Sequence, residues 1–142
     1  MTNPMLVTGG VLSAIASALH VAVIVGGPAW YRFFGAGEGM ARMAERGLLT
    51  PTLITLGIAS GLAIWSAYAF SGAGLIPRLP LIRTALVLIS AVYLLRGLVL
   101  LPALVLNPGG VAPFVVWSSL IVLVYGVAYA VGTWKAWPAL SN

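Results

Sequence analysis

The chain has 142 residues, of which 61% are hydrophobic and only 6% charged, with a mean hydropathy of +1.10. A soluble domain devotes about a quarter of its residues to charge, so this composition excludes that class and points to a bilayer. The formal charge of +5 arises from seven Lys and Arg against two Glu. The bases are scattered between apolar segments, as basic residues flanking membrane spans are, which argues against nucleic acid as a partner. Without cysteine, no disulfide, thiol exchange centre or thiolate metal site can form.

Crossing the hydrocarbon core takes about 20 mostly apolar residues in a helix, and four stretches qualify: about 5–26, 52–70, 81–104 and 113–134. Each is a continuous apolar run without period-two alternation, which favours helices over barrel strands. The expected fold is all-α: a polytopic membrane protein, a single domain over 1–142, with four transmembrane helices in an antiparallel bundle. In the first span, Ala16-Ser17-Ala18 resembles a signal cleavage site. No basic residue precedes the apolar run, however, and the run continues through Val25, so an uncleaved span is expected.

The first connection is the one segment outside the spans with room for structure of its own, being about 25 residues long. It opens with the aromatic group Trp30, Tyr31, Phe33 and Phe34 and holds both carboxylates, Glu38 and Glu45. Its glycine-rich Gly35-Ala36-Gly37-Glu38-Gly39 does not fit a dinucleotide fingerprint, because position 40 is Met and no strand precedes. A short interfacial helix is expected over 38–46, with Arg42 spaced to pair with Glu38 and Glu45 on one face. A solvated ion-pair helix on the membrane surface accounts for the same residues. Turns follow at Ser71-Gly72-Ala73-Gly74 with Pro77 and Pro80, and at Asn107-Pro108-Gly109-Gly110.

Helix packing in lipid relies on small residues. Gly57 and Gly61, Ser13 and Ser17 with Gly9, and Gly126 with Ser119, Ala130 and Thr133 mark three seams. Each serves equally to close the bundle, join a homo-oligomer or dock a partner membrane subunit. Both termini are expected on one side, with Arg78, Arg83 and Lys135; Arg32, Arg42 and Arg46 lie opposite. Three bases on each side leave the positive-inside rule tied. The reading leans to cytoplasmic termini in a bacterial inner membrane.

Arg96 falls within the third span, where an arginine costs about 2.5–3.5 kcal/mol and keeps its proton. His20, the one histidine, is expected at the same depth in the first span. With Glu38 or Glu45 folded inward as counter-ion to Arg96, a polar pocket is expected from His20, Arg96, Tyr93, Thr55, Trp117, Ser118 and Ser119. Such a pocket suits an amphiphilic lipid-like or quinone-like ligand with an anionic or carbonyl head, and titration of His20 would make binding depend on pH near 6 to 7. More ordinary explanations exist: His20 as a packing residue, Arg96 snorkelling to the interface, and the hydroxyls bonding their own helices.

An accessory or structural subunit is the main rival reading. A membrane enzyme using His20, Glu38 or Glu45 as acid and base, and a small transporter, come after it. One histidine cannot supply two axial haem ligands, and the residues give no basis for a metal site. Membrane lipid is the expected partner.

Overall fold

The computed structural model describes residues 3–35 and 37–140; Ala36 and the four terminal positions lie outside them. Among the described residues the chain is all-helical and contains no strand. Four stretches are long and apolar enough to cross a membrane: Pro4–Gly26, Thr50–Gly72, Ile82–Leu106 and Pro113–Ala139. They are compatible with a small membrane protein.

The helix ends follow from local chemistry. α1 (Pro4–Gly26) begins with proline at a position where a missing N–H costs nothing. The Asn3 side-chain oxygen accepts from the N–H groups of Met5 at 3.1 Å and Leu6 at 3.2 Å, capping two of its open donors. Gly27, at φ 78°, then turns the chain directly into α2 (Pro28–Phe33). This short helix was expected only as an aromatic cluster. α3 (Glu38–Glu45) and α4 (Thr50–Gly72) follow.

The third apolar run is not one helix. α5 (Ile82–Leu98) gives way to α6 (Leu100–Leu106) at Val99. Pro102 explains the break: it cannot donate to the carbonyl of Leu98 and its ring crowds that group. α7 (Pro113–Ala136) starts with proline and ends in a 3₁₀ turn, Trp137–Ala139.

The chain divides into two compact units, and α1 and α4 contribute to both. Among the described residues, one comprises 3–13 with 65–140, the other 14–64 apart from Ala36. In the first, α5 and α7 run in opposite directions: Gly97 faces Leu123, Leu94 faces Gly126 and Arg83 meets Trp137. A Cβ on Gly126 would stand 2.9 Å from the Leu94 backbone nitrogen, so the two backbones approach as closely as small residues allow. Gly9 lies against the Tyr129 ring, and Asn3 donates to the Gly132 carbonyl at 2.8 Å. In the second unit, α2 and α3 pack through Tyr31 and Ala41 onto Val23, flanked by Phe34, Met40 and Ala44.

Candidate functional site

The centre of the first unit is a row of hydroxyls. Ser13 Oγ lies 2.7 Å from both the Tyr93 and the Tyr129 hydroxyl, and Tyr129 donates to the Trp65 carbonyl at 3.1 Å. A carbonyl only accepts and each hydroxyl has one proton, which assigns the direction of every bond. Tyr93 donates to Ser13, Ser13 to Tyr129, and Tyr129 to Trp65. The rings pack edge-on, with Tyr93 5.1 Å from Trp65 and 5.3 Å from Tyr125. Ser66 adds a bond to the Gly10 carbonyl at 2.7 Å. Tyr93 was expected to face a ligand and Ser13 to pack helices; both belong to this row. Tyr129 and Trp65 formed no part of the expected site, because only the pairing of distant helices brings them in.

Arg96 occupies a different setting. It lies two residues past Leu94, the middle of the Ile82–Leu106 stretch, which is roughly 3 Å along the axis. Its Nη1 donates to Ser119 at 3.0 Å and its Nη2 to Ser118 at 3.1 Å. One helical turn before Arg96 stands the buried Tyr93, whereas Arg96 itself is exposed, as are Leu95 and Val99 on its own helix and Trp117 and Leu120, which flank the two serines in the chain. A guanidinium has five N–H donors, so two hydroxyls leave three N–H groups over and leave the charge uncompensated. Arg96, Ser118 and Ser119 are thus together. Trp117, beside the two serines on α7, is 69% exposed.

The remaining expected site residues lie in the second unit. His20 Nδ1 is 2.6 Å from the Ala16 carbonyl, one turn back on its own helix. Because that oxygen can only accept, Nδ1 carries a proton and Nε2 is the nitrogen left to act. Thr55 is buried and donates to the Tyr31 hydroxyl at 3.4 Å, a long bond. Ser17 donates to the Ala59 carbonyl at 2.7 Å.

Both carboxylates are held by Arg32, a residue the spacing argument had not paired with them. Arg32 Nε donates to Glu38 at 3.0 Å and Nη2 to the other Glu38 oxygen at 2.8 Å, a two-pronged clamp. Nη2 also pairs with Glu45, while Arg42 stands 3.4 Å from Glu38, the expected pairing four apart. The Arg32 guanidinium holds the Glu38 carboxyl below its ordinary range, and the two carboxylates hold Arg32 above its own. The clamp ties α2 to α3 across the glycine turn.

The chain matches no known family model, curated protein or solved structure. No group of three His, Asp or Glu able to hold a metal occurs among the described residues.

Proposed function

We propose that the chain is a small integral membrane protein that binds an amphiphile with an anionic or carbonyl head through Arg96, oriented by Ser118 and Ser119. One observation carries this reading: a guanidinium near the middle of an apolar stretch, exposed at the helix surface, whose partners are two neutral hydroxyls. A permanent cation in hydrocarbon needs acceptors, and such residues within spans are commonly functional. The ligand's oxygen atoms supply the missing acceptors, and its tail lies along the exposed Leu95, Val99 and Leu120. The reading uses Arg96 and its two serines alone; His20, Glu38 and Glu45 take no part in it.

Mass spectrometry of gently extracted protein tests it. The expected result is an enriched amphiphile with a carboxylate, phosphate or ketone head, absent from an Arg96→Leu variant that keeps its helix content. Because arginine stays protonated at neutral pH, binding should be level between pH 5 and 8. No enrichment, or equal enrichment in the variant, removes the ligand role.

A second reading, as an accessory subunit or homo-oligomer, is favoured by Gly57 and Gly61. A Cβ at either would meet no atom within 4 Å, so this seam is open to a partner helix. Loss of an oligomer in Gly57→Leu, measured by light scattering, would support it; a monomer in both proteins would exclude a homo-oligomer through this seam.

A further inference from the structure

The protons that Arg96 has left over decide which head group suits it. Nη1 gives one to Ser119 at 3.0 Å and Nη2 gives one to Ser118 at 3.1 Å. A guanidinium has one proton on Nε and two on each terminal nitrogen, so Nε keeps its own and each terminal nitrogen keeps one. A ketone oxygen accepts at most two of these three and brings no charge. A carboxylate or phosphate has at least two oxygens, accepts all three and neutralises the cation as well. Arg32 shows that chemistry completed: its Nε and Nη2 clamp the two oxygens of Glu38 at 3.0 and 2.8 Å. Residues 65–140 contain no Asp or Glu to do the same for Arg96.

The level of the site narrows the choice of anion. Ser118 and Ser119 lie five and six residues after Pro113, the first residue of α7 and of its apolar stretch, which is about 8–9 Å along the axis. An anion meeting Arg96 there sits inside the stretch rather than at its end. A phospholipid phosphate is bonded to a glycerol and its ester groups, and these would have to leave water with it, at a cost for each polar group. A carboxylate that ends a hydrocarbon chain brings nothing else polar. Leu88 and Val92 precede Arg96 by eight and four residues, so the three share one face of α5, with Leu95 beside them. All four are exposed. From Arg96 back to Leu88 this face runs about 12 Å, a single column of side chains against which one tail can lie.

We infer that the ligand of Arg96 is a long-chain carboxylate: a single hydrocarbon tail whose terminal anion accepts the Arg96 protons not used by Ser118 and Ser119. The tail runs past Leu95 and along Val92 and Leu88. The inference rests on the reading of Arg96 as a ligand anchor, and within that reading it excludes ketone and phosphate heads.

The test uses the full chain in phosphatidylcholine bilayers at about pH 8, where a carboxyl is ionised. The probes are dibromostearate, its methyl ester and phosphatidic acid with brominated chains. In a variant with Trp30, Trp65, Trp134 and Trp137 changed to Phe, all emission comes from Trp117, next to Ser118 in the chain and 69% exposed. Dibromostearate should quench it at several-fold lower mole fraction than the ester or the phosphatidic acid, and Arg96→Gln should remove that preference. Equal quenching by acid and ester, weakened for both in Arg96→Gln, would keep Arg96 as an anchor and overturn the carboxylate. A preference for phosphatidic acid that Arg96→Gln removes would do the same. Curves unchanged by Arg96→Gln for all three probes would remove the anchor itself. Native mass spectrometry of the unaltered chain gives a check that needs no tryptophan replacement. Mixed with equal amounts of oleate and methyl oleate, the chain should retain oleate in several-fold excess; equal retention would overturn the inference.

Discussion

Residues 14–64 and the unit formed by 3–13 and 65–140 treat charge and helix contact in opposite ways. In the former, Arg32 clamps Glu38 and reaches Glu45, so the segment brings its own counter-ions, while the Gly57 and Gly61 seam stands open. In the latter, Gly97 and Gly126 are filled by Leu123 and Leu94, and Arg96 rests on hydroxyls in a stretch without a single Asp or Glu. One region pairs its carboxylates internally and leaves the Gly57 and Gly61 face open; the other fills its glycine seams and sets Arg96 against neutral hydroxyls. The ligand proposal for Arg96 follows from the second condition, and the oligomer reading follows from the first.

The sharpest way to break the comparison is at the seams. Gly126→Ala places a methyl 2.7 Å from Leu94 Cδ2 and 2.9 Å from its backbone nitrogen, and forcing α5 and α7 apart should cost about 1–3 kcal/mol. Gly57→Ala meets open space and should stay within about 0.5 kcal/mol of the parent. Thermal unfolding in one detergent measures both. Equal losses would mean that the Gly57 seam is occupied after all.

A somewhat smaller effect tests the hydroxyl row. Ser13→Ala leaves the Tyr93 proton and a Tyr129 lone pair without partners in a buried site, at about 1–2 kcal/mol, within the usual range for an unsatisfied group. Thr133 offers the contrast, since its Oγ1 is buried without a hydrogen bond. Thr133→Val should be neutral or slightly stabilising. A large loss there would show that the hydroxyl has a partner, such as bound lipid.

The smallest effect concerns the exposed clamp. The folded pKa of Glu38 is below its unfolded value, so the clamp's contribution is complete above about pH 4.3. It falls away as acid takes the carboxyl through its depressed folded value. Arg32→Gln should return the Glu38 titration, followed by NMR, towards the ordinary range. An unchanged midpoint would show that Arg32 is not the cause.

The four long helices were legible because each is a continuous apolar run, and a helix crossing lipid must satisfy its backbone internally. The break at Val99 was also written in the chain, at Pro102, and α2 in the pair Gly27-Pro28, a turn residue followed by a favoured first helical residue. Other features depend on which helices meet. Ser13, Tyr93 and Tyr129 come from three separate helices, so no spacing rule joins them. Arg32 and Glu38 are six apart across a glycine turn, outside the three-or-four rule that suggested Arg42. Arg96 stood out as an isolated charge, and its two serines were among the residues expected near it.

The fixed polarity of the row from Tyr93 to Trp65 bears on what this interior can conduct. Relay of a proton along hydroxyls requires that every link be able to turn round and donate the other way. Here the last acceptor is an amide oxygen with no hydrogen to return, so after one shift the wire has no route back to its starting state. The row is therefore a latch that ties four helices, α1, α4, α5 and α7, together and is no two-way wire.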